Sequence, residues 1–353
     1  MTPEGTDIGG RSLTDSILEA RKRKWVRFCD MSSPVNRMLI ASWTRGVPQR
    51  PLLWWDRMRE REEWAWRQYC MQMEYLDKVR DDSVPYLEIA TGTEIFAEAF
   101  GCRVHRPEDN NPFALPLIRN AAEFAKVRMP RWEDTNLARL FDLADRLRAR
   151  AGQDALLKLP DIQSPMDIAA LIWDKNDFYI AMFEEESAIS DLAMMVRELL
   201  FSFLDAWFGR YGKELVAHYP FYYLPYGVTM SEDEVGIVSA EMFRKHYLGE
   251  LKAFSERYGC IGIHCYADAE HQWENFLQIP DLKLLNLVQP PEVTKRAVRF
   301  FADRTAQFHF ENTDVSALPE RDRIHLVTSV YAETPEEAAE LVTRLSERQI
   351  QST

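Results

Sequence analysis

The chain has 353 residues, 43 Lys+Arg against 56 Asp+Glu, a formal charge of −13 at pH 7, and 46% apolar and 12% aromatic residues. This composition supplies a large core and excludes both a disordered chain and a low-complexity filament. The acidic surplus, with no basic block beyond Arg21-Lys22-Arg23-Lys24, argues against nucleic acid as a partner, because such binding rests on phosphate neutralisation.

Five scattered cysteines, Cys29, Cys70, Cys102, Cys260 and Cys265, do not make a disulfide framework and point to a reducing, cytoplasmic compartment. The first residues lack the apolar core of a signal peptide. No run reaches the roughly 18 apolar residues of a membrane span, since even the stretch from Leu199 to Phe208 is interrupted by Asp205.

In chain order, residues 1–50 are expected to form an N-terminal helical extension. Residues 51–55 read as a first strand, and Tyr69, Met73 and Leu76 mark the helix after it. A strand over 86–90 follows, then a helix carrying Leu137, Leu140, Phe141, Ala144 and Leu147, stopped near Gly152. After a strand over 156–162, Ser164 caps a helix with Pro165 in its first turn and Asp167 favourably placed against the helix dipole. Leu192, Val196, Leu199, Phe203 and Trp207 form a long helical stripe ahead of an aromatic strand run over 216–228. Ser239 opens a helix through Phe243, Tyr247, Leu251, Phe254 and Tyr258, and Gly259 stops it. Strand runs over 260–265, 282–288, 307–311 and 324–331 complete the set, and Thr334-Pro335-Glu336-Glu337 starts a last helix as a capping box.

Short, nearly continuous apolar runs separated by helices are the pattern of parallel strands buried on both faces. Eight of them predict an α/β fold, a single (β/α)8 barrel over residues 51–353 with its site at the strand C-termini, a doubly wound open sheet being the competitor. The polar loops 91–96 and 109–113 are expected to flank the barrel mouth.

Three stretches carry a family resemblance. Leu159-Pro160-Asp161-Ile162-Gln163-Ser164-Pro165-Met166-Asp167 followed by Tyr179, the acidic strand end Ser231-Glu232-Asp233-Glu234 with Ser239-Ala240-Glu241-Met242-Phe243, and the strand ending Ile263-His264-Cys265 together resemble the uroporphyrinogen decarboxylase superfamily. Its members include porphyrinogen decarboxylases and methyltransferases that pass methyl groups between corrinoids and thiols at a zinc site. The resemblance implies zinc held by His264 and Cys265, with a third ligand from Glu232, Asp233, His271, His309 or Glu311, and a thiolate as the methyl acceptor. Catalytic roles are expected for Asp161, Glu232, Asp233 and Tyr179, and substrate contacts for Trp54, Trp55, Arg57, Arg59, Thr91 and Asn286.

Methyl transfer involving a corrinoid or an O- or S-methyl compound is the leading expectation. The expected partners are a small-molecule substrate, a corrinoid protein and a second copy of the chain. Decarboxylation of a carboxylate-bearing substrate is the alternative; it needs no cofactor, and Arg57, Arg59 or Arg61 would grip the carboxylates. A non-catalytic barrel that binds a tetrapyrrole or a partner protein is the third reading. Neighbouring strand residues point to opposite faces, so His264 and Cys265 meet at one ion only if the strand has already turned.

Overall fold

A computed structural model describes residues 8–351, with side chains described from 13 to 348; the first seven residues of the expected extension, Asp7 among them, lie outside the described residues. The strands are β1 (Arg37–Trp43), a hairpin of β2 (Arg103–His105) and β3 (Phe113–Leu115), a hairpin of β4 (Leu215–Val216) and β5 (Tyr223–Leu224), β6 (Val228–Ser231), β7 (Ile261–Cys265), β8 (Leu282–Leu287), β9 (Ala306–Gln307) and β10 (Leu326–Ala332). Six of them form one sheet in the order β1-β10-β9-β8-β7-β6, every pair parallel. The helices between them make an α/β fold consistent with a barrel. Its continuous ladder is open, however, and has fewer strands than the eight expected.

Each departure has a local cause. Residues 51–55 are not a strand but lead into a 3-10 turn at Trp55–Arg57, because Pro48 and Pro51 interrupt any ladder there. The first strand is instead β1, inside the stretch expected to be helical. It pairs along its whole length with β10, from Arg37 opposite Leu326 to Trp43 opposite Ala332. Residues 86–90 and 156–162 are extended and meet at a parallel bridge between Leu87 and Leu157, but Pro85 and Pro160 remove backbone donors and keep them from a full ladder. Single bonds continue the circuit: Asp82 N–H to Leu39 carbonyl at 2.8 Å, and Ser231 N–H to Ile162 carbonyl at 2.8 Å. The run over 216–228 breaks into the β4–β5 hairpin, where Tyr219-Pro220 is cis and Gly227 takes φ +107°.

Helix boundaries follow the capping residues. Ser164 Oγ accepts the Asp167 N–H at 3.1 Å and starts Pro165–Ile172. Ser239 does the same for Met242 at 3.2 Å, and Gly259 ends Leu248–Tyr258 in the left-handed region that a Cβ disfavours. Thr334 caps Pro335–Gln351. Outside the sheet, Phe203 and Trp207 of the helix Glu186–Tyr211 pack against Phe141 with ring centroids 5.4 and 5.2 Å away, and Phe203 also meets Phe96 and Trp132. No helix among the described residues is long and apolar enough to cross a membrane.

Candidate functional site

The ladder register sets four polar residues side by side near the carboxyl ends of the strands. Gln163 bridges to Ser231, Ser231 pairs with His264, and His264 pairs with Asn286. Partners in a parallel ladder share a face, whereas Glu232 and Cys265, one residue further on, turn to the other. Against this row lies a cavity of about 510 Å³, to which Thr91, Asp161, His218, Tyr219, Asp233 and His264 contribute.

Asp161 carries an unsatisfied oxygen in the cavity wall. Its N–H is held by Thr91 Oγ1 at 2.8 Å, yet its Oδ1 is buried without a hydrogen-bond partner. About 26% of its side chain remains open to the cavity. Burial, reinforced by the charge of Asp233 and opposed by Lys158, lifts its carboxyl to about 6. His218 Nε2 lies 3.8 Å from that oxygen. Both ring nitrogens of His218 are already engaged, Nδ1 with Thr229 Oγ1 at 3.1 Å and Nε2 with Ser231 Oγ at 3.0 Å. Burial, with His264 and Lys158 nearby, drives the His218 imidazole well below its ordinary range, so the ring is neutral.

His264 is held by Asn286, whose Oδ1 is 2.5 Å from Nδ1. The amide orientation is set from behind, because Asn286 Nδ2 donates to the Phe308 carbonyl. Nδ1 of His264 therefore carries the proton and Nε2 the lone pair. Burial lowers the pKa of His264 against the opposing pull of Asn286 and Asp233. Asp233 accepts the Tyr266 N–H at 2.5 Å, and burial raises its pKa.

Asp167 builds the turn that carries Asp233. Its two oxygens accept the N–H groups of Asp233 at 2.8 Å and Glu234 at 3.0 Å. Burial lifts this carboxyl to about 7. Glu94 is a second hidden acid near Asp161: only 1% exposed, with Oε2 unpartnered, and raised to about 7 by burial, with the charges of Glu98 and Asp161 acting in the same direction. It sits under the turn 91–93, where Gly92 leaves room for it; a Cβ there would lie 2.3 Å from Glu94 Oε2.

The structure thus brings Asp161, Asp233, Thr91 and His264 together, with Asn286 directly behind. The other expected site residues are elsewhere. Glu232 is fully buried, with both oxygens unpartnered; burial first and then Asp167 push its carboxyl well above the usual range. Tyr179 donates to Glu234. Trp55 is buried and donates to Glu98 at 2.6 Å. Arg57 pairs with Glu60 at 2.7 Å and lies 6.0 Å from the Trp54 ring. Arg57 and Arg59 border a separate surface depression, so they cannot grip a carboxylate in the cavity.

Cys265 is fully buried, and its thiol is raised well above the ordinary value, mainly by burial. Because β7 still runs through both residues, Cys265 and His264 point apart. Among the described residues no three His, Cys, Asp or Glu side chains converge as a metal-ligating group. The donor set does not fit the zinc centre that the resemblance implied.

Sequence reasoning did not single out His218, within the aromatic run over 216–228, nor Lys158, Gln163 and Ser231, whose positions in or just beyond the strand runs were the available signal. No family model matches the chain, and no curated protein matches it. Among solved structures it is similar to a methyltransferase from Methanosarcina mazei, with a TM-score of 0.65 and 11% identity, over 93% of this chain and 99% of that one.

Proposed function

We propose that this chain is a methyltransferase of the uroporphyrinogen decarboxylase-like barrel class, acting on a small methylated substrate in the cavity between Asp161, Asp233 and His264. In this reading the six-stranded sheet and the bridged segments 82–90 and 156–163 are the parts of one barrel, with chemistry at its C-terminal rim. The observation that carries the reading is the pair Asp161 and His218: a carboxyl of about 6 with an unpartnered oxygen, 3.8 Å from an imidazole kept neutral. The likeness to a methyltransferase fold supports the same class.

Methyl transfer is an in-line displacement, and the protein contributes positioning and control of one proton. As the anion, Asp161 takes the proton of an incoming thiol; as the acid, it gives a proton to a departing oxygen. His264, with its protonation fixed through Asn286 and Phe308, presents Nε2 as an acceptor that orients substrate. Asp167 acts through the backbone, holding the turn from which Asp233 projects. A cavity of about 510 Å³ suits a small molecule and does not enclose a corrinoid macrocycle. An acceptor thiol, or a corrinoid on its own carrier protein, would approach the open mouth.

The test supplies the purified chain with O- and S-methyl donors and either a thiol or a corrinoid acceptor, and follows the methylated product. Asp161→Asn is expected to reduce kcat about 100-fold or more, as loss of an acid–base group does. Absence of transfer from every donor, or a fully active Asp161→Asn protein, overturns the proposal.

A further inference from the structure

The unsatisfied hydrogen-bonding capacity of the cavity wall is one-sided. Asp161 Oδ1 and Gln163 Oε1 are buried there without partners, and Gln163 is only 8% exposed. No side-chain donor in the wall is orphaned in the same way. Of the two cationic residues of the wall, Lys158 is paired with a carboxylate, while Arg50 is exposed to solvent and bonded to a neutral amide. Lys158 pairs with the buried Glu88 and lies 4.8 Å from the Phe221 ring centroid, and Arg50 donates to Asn111 at 2.7 Å. His218 and His264 are both held toward the neutral form. Asp161 and Asp233 therefore contribute negative charge that no wall cation pairs with directly.

Aromatic rings complete the enclosure. Tyr219 meets His264 edge-on at 4.9 Å and Phe221 at 6.0 Å. Phe221, Tyr266 and Phe310 line the mouth and remain 42%, 67% and 49% exposed. Lys158 already stands over Phe221, which leaves Tyr219, Tyr266 and Phe310 for a ligand; carboxylates combined with such rings recognise a diffuse, weakly hydrated cation, because the ring quadrupole and the full charges act in the same direction.

We propose that the methyl-bearing substrate of this cavity is a methyl-onium cation, a quaternary ammonium or sulfonium compound; this rests on the methyl-transfer reading above. The displacement then balances without an external proton. The bond from methyl to nitrogen or sulfur breaks, its electron pair stays on that atom, and the leaving group departs as a neutral amine or thioether. The lone pair of an acceptor thiolate forms the new bond to the methyl carbon. With a sulfonium substrate the charge leaves the cavity as the thioether departs, whereas an amine leaving group takes up the proton that Asp161 removed from the acceptor thiol.

Calorimetric titration of the whole chain with choline and with 3,3-dimethylbutan-1-ol, its uncharged isostere, tests the proposal. Tetramethylammonium and trimethylsulfonium serve as minimal probes of the two onium types. Choline is expected to bind about tenfold or more tightly than the isostere, a difference of one decade in affinity. Asp233→Asn and Tyr219→Leu should each weaken choline and leave the isostere unchanged, with thermal melts confirming that the variants fold. Equal affinity for choline and the isostere overturns the inference, as do variants that bind choline normally. If the onium site fails while an O-methyl donor is still turned over, the methyl-transfer reading survives. If choline binds and no donor yields its methyl group, the cation site stands and methyl transfer falls.

Discussion

Glu94→Gln should stabilise the protein, and more so as pH rises. Glu94 is 1% exposed, and its carboxyl is raised from 4.5 to about 7, chiefly by burial. An acid whose folded pKa lies above its unfolded value holds more protons in the native state between the two, so its contribution to stability is complete below about 4.5 and is lost as pH rises toward 7. The unfolded chain ionises Glu94 freely, while the folded chain must bury the charge. With those two values, linkage gives a loss of about 1 kcal/mol at pH 5 and about 3 kcal/mol at pH 8. Glutamine keeps the shape and cannot ionise, so the gain from the substitution should be about 2.5 kcal/mol larger at pH 8 than at pH 5. Urea unfolding of both proteins at the two pH values measures it directly. A gain that is the same at both values, or a variant less stable at pH 8, would falsify the assignment of Glu94 as a buried acid ionised against its surroundings.

Other expectations concern the site and the scaffold. With a thiol acceptor, activity should fall as pH drops below about 6, where Asp161 becomes protonated and can no longer accept a proton; a pH–rate profile flat through that range removes Asp161 from the mechanism. Phe203→Ala, at a fully buried ring touching four other aromatics, should cost about 3–5 kcal/mol in denaturant unfolding. Ser164→Ala removes the side-chain cap of Pro165–Ile172 and should cost about 1 kcal/mol. Native thiol titration should show a single fast cysteine, Cys70, since Cys29, Cys102, Cys260 and Cys265 are buried; rapid modification of Cys265 would contradict its placement behind the strand.

What could be read from the sequence follows from the range of the interactions involved. Ser164, Ser239, Thr334 and Gly259 mark helix ends because a cap and its backbone partner are only a few residues apart. β7 and β8 stood out as apolar runs bounded by breakers. β1 did not, because its pairing partner is β10, at the far end of the chain, and the apolar run Met38-Leu39-Ile40 reads equally well as a helix face. The two-residue period also warned that His264 and Cys265 would separate, and β7 continues through both. Which of Glu232 and Asp233 faces the cavity could not be read from their order. It depends on where β6 ends and on Asp167, far along the sequence, accepting the N–H groups of Asp233 and Glu234. His218 reaches the site from the short hairpin region after β4, and no local spacing announces that.

The pairing of β1 with β10 also bears on how the molecule is made. During synthesis the amino-terminal strand leaves the ribosome long before the segment that covers its open side, and until Leu326–Ala332 emerges it can bond only weakly to its neighbours, as through Leu39 and Asp82. A nascent chain therefore carries an uncovered strand edge through most of translation.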